Sequence, residues 1–522
     1  MSTLTYKPHY FWIVLAIGAI LLLMRLGATP IYILDEAKNA ECAREMLQRH
    51  DVITPTFNGE LRPDKPPLHY FFMIAAYKVW GTTPFAARFF SAIMGLLTVL
   101  VTYLYTKKFL APFAAFCTVV VLLASPHFLF EFRLAVPDPY LIFFITLGLF
   151  SAFAWLEQNN KSQLYISAAA LALATLAKGP VALALPGVCL LLWVIIARKW
   201  KTLFTWHILG ALLVLAVITL PWYVAVDRAT HGEWTKEFFI DNNLNRFSSP
   251  QEGHGGLFII TPIFVIAGLL PFTGFLGEVF KQRKSIFQQA LTKFSGIVVL
   301  VFVIFFSLSS TRLPNYPMPC YPFAAIILGN FIVALLDGRV QSKKYPFFVA
   351  VVFASVVAVA GFFAIRSEAE LRFLQWLPLL LLVCPAVLLL AYFTLPKKWP
   401  VIIAAIVAGY SLFNILGLQV IYPELYKQNP VTKTINMVKQ HKYVVGYTLF
   451  NPAYRFYMDS NIIHTGDTSV LHRIIETHND AIIITRAGYS DSLTKLPVKE
   501  IARDRDIFEL PTTVIYSKAD KH

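Results

Sequence analysis

Run after run of this chain is apolar for long enough to cross a bilayer, and no other feature limits its fold as strongly. A helix needs about 20 apolar residues to span the hydrocarbon core. Such runs fall at 10–27, 84–105, 111–127, 138–156, 163–178, 181–197, 207–226, 257–277, 293–310, 318–336, 345–364, 376–395 and 399–419. The sequence therefore predicts an α-helical polytopic membrane protein with about thirteen spans. The first run has the short basic flank of a signal peptide. Its length, and the many runs behind it, make it a retained helix. Composition agrees: 57% of the residues are hydrophobic and 14% charged, against about a quarter charged in soluble domains.

The net charge of +15 raises nucleic acid as a partner, but its distribution excludes that reading. With a cytoplasmic N-terminus, the short inner loops are almost purely basic: Lys107-Lys108, Lys161, Arg198-Lys199, Lys281-Arg283-Lys284, Lys343-Lys344 and Lys397-Lys398. Acidic and mixed-charge material falls in 28–83, 128–137, 227–256, 311–317 and 365–375. Short basic loops lie inside, so these segments are outer, and an odd number of spans puts the C-terminus outside as well. The expected location is the cell (inner) membrane, with membrane lipids as neighbours.

From Tyr422 onward the pattern changes. Short β-like runs, Tyr443–Phe450 and Ala481–Thr485, alternate with amphipathic segments such as Asp467–Asn479. This predicts a small soluble α/β domain of about 100 residues on the outer face. The division is thus a membrane domain, 1–421, with interfacial helices in its outer loop 28–83, and a C-terminal domain, 422–522. The five cysteines show no metal or disulfide spacing.

The outer loops carry the chemistry. Asp35-Glu36 directly follows the first span, where a carboxylate must be accommodated at the membrane boundary. Glu41, Arg44 and Glu45, one helical turn apart, read as surface pairs of an interfacial helix. Asp64-Lys65-Pro66-Pro67 fixes a charged pair beside stiff backbone. Asp138 lies between two prolines, behind Arg133, at the outer mouth of a span. It is placed to work with Asp35, as base and orienter or as metal ligand; a plain helix N-cap is the competing reading. Lys178, before Gly179-Pro180, breaks the positive-inside pattern, as an anion-binding or a snorkelling lysine would. Arg246 offers a bidentate clamp for phosphate. Arg312 and Tyr316 sit in a proline-rich outer loop, where a tyrosine also serves as a plain interfacial anchor. Cations suit a phosphate headgroup, and a carboxylate suits proton abstraction from a hydroxyl. A site beside lipid on the outer face implies a lipid-borne donor.

These motifs, in order, resemble one family. Asp35-Glu36 … Ala43-Arg44-Glu45-Met46 … Asn58-Gly59 … Lys65-Pro66-Pro67-Leu68, then Arg133 … Asp138, Leu176-Ala177-Lys178-Gly179-Pro180, Asn245-Arg246-Phe247 and Arg312-Leu313-Pro314-Asn315-Tyr316 resemble the bacterial aminoarabinose-transferase-like branch of the protein O-mannosyltransferase superfamily. The resemblance implies the GT-C fold and transfer of a sugar from a polyprenyl-phosphate donor to an extracytoplasmic acceptor: lipid A or another envelope glycolipid, a polysaccharide or a protein. It makes Asp35 the catalytic carboxylate and Asp138 its partner. Lys65, Arg246 and Tyr316 become donor-phosphate ligands with Lys178, and Glu36, Arg133 and Arg312 give support. Three positions depart from the family pattern: Asp64 stands where Glu is usual, Asn39 where Tyr is common, and Asp241 where some members carry a metal-binding His. Asp64 and Asp241 are therefore where a divalent metal, the one cofactor the resemblance raises, is expected. A protein O-glycosyltransferase remains open. So does a lipid or sugar transporter, although that class places polar groups at the bilayer midplane, and here they gather at one rim.

Overall fold

The computed structural model describes residues 7, 9–245 and 257–519. Each expected apolar run coincides with helical structure. Among the described residues, 8 helices are long and apolar enough to cross a membrane, or up to 9 with the pair Ile260–Gly268 and Phe272–Lys281, which is bent by 111°. The remaining expected runs fall on α1 (His9–Leu23), α5 (Pro112–Ala124), α8 (Lys161–Lys178) and α9 (Val181–Ile196). Of these, α1, α5 and α9 are shorter than a full crossing by length alone.

The chain order explains how the outer loops are held. After α1 comes α2 (Leu34–Gln48), then a hairpin of β1 (Thr56–Phe57) and β2 (Glu60–Leu61), then α3 (Leu68–Trp80). Thr56 pairs with Leu61 and Phe57 with Glu60, which leaves Asn58-Gly59 as a two-residue turn. Both turn residues have positive φ, 56° and 84°. Asn-Gly is the favoured dipeptide for such a turn, because asparagine and glycine tolerate the left-handed region. Next, α4 (Pro84–Phe109) starts with Pro84 in its first turn, and the Thr83 side chain caps it by accepting from the Ala86 N–H.

Two helices form the centre of the membrane body. α7 (Asp138–Gln158) and Met318–Leu336 are each 94% buried over their apolar windows, whereas α10 (His207–Ala229) is 22% buried and Tyr345–Ser367 28%. The first pair is surrounded by protein; the second pair keeps a lipid-facing surface. α7 and α8 are antiparallel neighbours, joined through Asn159 with φ 52°. The N-terminus of α7 and the C-terminus of α8 therefore lie at the same end.

The last apolar helix runs on to Tyr426, past residue 421, where the apolar pattern is expected to stop. Beyond it stands a five-stranded sheet in the order β4-β3-β5-β7-β6: β3 (Tyr443–Tyr447), β4 (Ile463–Thr465), β5 (Ala481–Arg486), β6 (Val498–Arg505) and β7 (Thr512–Lys518). β3 runs parallel to β4 and β5, and β7 antiparallel to β5 and β6. Alternation along β5 sorts its side chains. Ile482 and Ile484 join the large core of the membrane body. Ile483 packs on the other face with Leu471 and Ile475 of the helix Thr468–Thr477. The sheet thus shares one hydrophobic core with the helices.

Candidate active site

Asp35 occupies the first turn of α2, where the helix dipole favours a negative charge. Its side chain is 52% accessible. Burial pushes its carboxyl up, but the charges of Lys65, Arg62, Lys178 and Lys38 outweigh that and hold it below the usual carboxylate range. Arg62, 4% exposed, brings a terminal nitrogen to 3.6 Å from Asp35 Oδ1. Its Nε donates to Asp64 Oδ2 at 3.1 Å. The backbone of Arg62 is fixed from both sides. Its N–H donates to the Pro55 carbonyl at 2.9 Å, beside the hairpin, and its carbonyl accepts from Trp234 Nε1 at 3.1 Å.

A second group forms where α7 begins and α8 ends. Lys178 Nζ donates to Asp138 Oδ1 at 2.5 Å and stands 4.7 Å from the centroid of the Tyr316 ring. Gly179, with φ 85°, ends α8 directly after Lys178; a left-handed stop there suits glycine. Glu131, 3% exposed, completes the group. Burial first, and then repulsion from Asp138, raises its carboxyl to about 8, against the pull of Lys178 and a hydrogen bond from Asn315. Neutral Glu131 is therefore a proton-bearing group at physiological pH.

These residues close the polar end of a cavity of about 440 Å³, lined there by Asp64, Lys65, Lys178 and Tyr316. Its other walls are apolar, among them Leu141, Leu185, Phe302 and Phe306. A second cavity, about 900 Å³, lies between Leu34, Lys38 and Asn58 on one side and Phe450, His464 and Tyr489 of the C-terminal unit on the other. Neighbours of Asp35 line both. Leu34 and Lys38, on its own helix, line the second; Lys65 and Lys178, whose charges act on it, line the first.

The structure brings Asp35, Asp64, Lys65, Asp138, Lys178 and Tyr316 together and assigns other work to the rest. Arg133 donates through one terminal nitrogen to the carbonyls of Leu21, Leu22 and Met24, so it caps the end of α1 instead of supporting the site. Glu36 pairs with buried Arg88 at 2.6 Å and accepts from the Ala135 N–H; it locks α2 to α4. Arg312 donates to the Ser307 carbonyl. Arg246 lies outside the described residues. Glu41, Arg44 and Glu45 are not surface pairs, for all three are at most 6% exposed.

Asp64 and Asp241 do not build a metal site among the described residues. No three acid, His or Cys side chains converge, and the Asp64 carboxylate is already held by Arg62. Asp241 is exposed, while its neighbour Asn242 reaches the Pro63 carbonyl at 3.3 Å. Sequence reasoning missed Arg62 and Glu131. Glu131 had a signal, a lone acid within Phe128-Leu129-Phe130-Glu131-Phe132; Arg62 had none.

Comparisons with known proteins give the chain's relatives. The family described as "Dolichyl-phosphate-mannose-protein mannosyltransferase" matches residues 12–235. An undecaprenyl phosphate-alpha-4-amino-4-deoxy-L-arabinose arabinosyl transferase of Pseudomonas fluorescens is 28% identical over 323 residues, 60% of this chain and 58% of that protein. An uncharacterised protein of Aquifex aeolicus is 30% identical over 299 residues, 57% of this chain and 67% of its own. The crystal structure of ArnT from Cupriavidus metallidurans bound to undecaprenyl phosphate superposes with a TM-score of 0.78 at 21% identity, covering 99% of this chain and 100% of that one.

Proposed function

The chain belongs to the aminoarabinose-transferase-like glycosyltransferases of the protein O-mannosyltransferase superfamily, and from that premise we propose that it moves a sugar from a polyprenyl phosphate to an envelope glycolipid of the lipid A class. It is an integral membrane enzyme with the GT-C fold. One observation carries the reading of the site: an ionised carboxylate, Asp35, has neighbours in two cavities, an apolar one whose end carries Lys65 and Lys178 and a larger one whose wall includes Lys38, His464 and Arg486. An anionic headgroup with a hydrocarbon tail fits the first. A hydroxyl-bearing acceptor fits the second, where Lys38 favours an acceptor that carries phosphate.

The roles follow from charge. Lys65, Lys178 and Tyr316 hold the donor phosphate, and Arg246 joins them through the family pattern. Asp35 takes the proton of the acceptor hydroxyl, and the oxygen attacks the anomeric carbon. The bond from that carbon to the phosphate oxygen breaks, and its electron pair stays on the leaving phosphate. Cations that bind this oxygen more strongly as its charge grows lower the barrier. Asp138 keeps Lys178 aimed at the cavity. In this reading the membrane domain, 1–421, carries the donor side, and the C-terminal domain, 422–522, walls the acceptor side. The short basic loops support an N-terminus in the cytoplasm and a site on the outer face.

The test is donor consumption. The purified chain in lipid nanodiscs is given polyprenyl-phosphate sugars, with and without lipid A, and mass spectrometry follows release of polyprenyl phosphate. Release that depends on lipid A supports the proposal. Release that instead needs a serine- or threonine-bearing peptide moves the acceptor to protein, the class in the matched family's description. Binding of every donor with no turnover of any sinks the catalytic reading.

A further inference from the structure

Arg62 is a buried cation that the donor-binding reading does not use. Its side chain is 4% exposed and lies against two carboxylates, Asp64 at 3.1 Å and Asp35 at 3.6 Å. Neither of its terminal nitrogens makes a hydrogen bond among the described residues. It therefore does not clamp carbonyls, as Arg133 does at the end of α1. The backbone bonds to Pro55 and from Trp234 fix its position without involving the guanidinium. What is left for the guanidinium is its charge and its aim, and both are directed at Asp35 and Asp64.

A divalent cation in this site would need several oxygen ligands at close range. The carboxylates that could supply them already face a permanent positive charge, since an arginine does not give up its proton in a protein. A metal bound to Asp64 would have to push the guanidinium away, and the fixed backbone leaves little room for that.

We propose that Arg62 does the work of a divalent cation in this site, bridging Asp35 and Asp64 so that the enzyme needs no metal. Arg62 is then a positioning residue. It touches neither the donor nor the acceptor, and it sets the direction in which the Asp35 carboxylate faces the acceptor hydroxyl. The inference rests on the transferase reading for its kinetic consequence, but its metal consequence stands apart from turnover.

The experiment therefore has two arms, both on the full chain in nanodiscs. In the first, wild type, Arg62→Ala and Arg62→Lys are stripped with a chelator and dialysed against zinc or magnesium, and bound metal is counted by mass spectrometry. Wild type and Arg62→Lys are expected to stay metal-free. Arg62→Ala, with two carboxylates released from the arginine between them, is expected to take up a divalent ion at least about 10-fold more tightly than wild type. In the second arm, polyprenyl phosphate release is timed. Chelation leaves the wild-type rate unchanged. Arg62→Ala lowers kcat by about 100-fold, as misplacing a reacting group does. Added metal recovers part of that loss, and Arg62→Lys recovers part of it without metal.

A wild type that retains a divalent ion through chelation, or that stops working when stripped, overturns the proposal. So does an Arg62→Ala protein that keeps its full kcat, or one that is inactive and indifferent to metal, since a merely structural arginine accounts for that. If Arg62→Ala does not fold, metal uptake by wild type and Arg62→Lys decides. If no variant turns over any donor, the transferase reading fails while the uptake arm still gives its answer.

Discussion

One helix, α2, carries two clusters of opposite charges, and they have little else in common. At its start Asp35 faces open space, half-exposed, with four cations acting on it and an ion pair to Arg62 longer than a hydrogen bond. Further along, Glu41, Arg44 and Glu45 are sealed beneath the C-terminal unit. Arg44 bonds Glu41 at 2.9 Å and the carbonyls of Arg455 and Met458 at 3.0 and 2.6 Å. Arg455 answers with 3.0 Å to Glu41 and 3.2 Å to Glu45. In the second cluster each charge lies within 3.2 Å of an opposite one, although burial still raises the Glu41 carboxyl to about 8; in the first, Asp35 and Arg62 stand 3.6 Å apart. Residue type does not separate a site from a rivet. What separates them is whether valence remains for a molecule that is not yet there.

Mutation tests that distinction, and the largest effect is expected at the open end. Asp35→Asn should lower the rate of polyprenyl phosphate release by about 10²–10⁴-fold, the worth of a positioned general base, while the thermal unfolding midpoint stays within a degree or two of wild type. A mutant that unfolds early would make Asp35 a rivet too. At the closed end, Arg455→Ala should cost about 3–5 kcal/mol, because it leaves buried Glu45 without its ion-pair partner and Glu41 with Arg44 alone. Denaturant unfolding would measure that cost, and protease cutting within the C-terminal sheet would locate it.

Smaller effects sharpen the picture. Lys65→Ala should raise KM for the lipid donor about 10-fold, the loss of one charge-assisted contact, with no change in unfolding. The smallest effect concerns pH. The Asp35 carboxyl is held low, so the acid limb of kcat/KM should lie below the usual aspartate value of about 3.9. Glu131 is raised to about 8. The folded protein thus keeps a proton that the unfolded chain loses from about pH 4.3 upward. Stability should fall as pH rises through that window. Activity should decline a few-fold above pH 8 as a new charge develops beside Asp138. Glu131→Gln should remove that decline; a profile identical to wild type would take Glu131 out of the site.

Much of this was legible in the sequence because lipid imposes long, nearly charge-free helices. Each apolar run became helical, and Asp138, Lys178 and Tyr316 met as their shared rim position suggested. The alternating runs after Tyr422 became a sheet. Reading failed where one local pattern serves two purposes. Glu41, Arg44 and Glu45 have the spacing of surface pairs, and nothing nearby announces a partner 411 residues away. Arg133 has the charge of a phosphate ligand and the position of a helix cap, and it is the cap. Arg62 gives no local signal, because the tryptophan that anchors it lies 172 residues further on.

The shared core of β5 bears on how the molecule is made. Ribosomes deliver α2 early and Arg455 late. Until Arg455 arrives, Glu41 has only Arg44 and Glu45 no cation paired with it, and the apolar seat for Ile482 and Ile484 stands empty. The nascent protein must therefore insert its helices first and wait for its tail to finish them. A shortened gene that stops after the last apolar helix should yield not a minimal enzyme but an unfinished one.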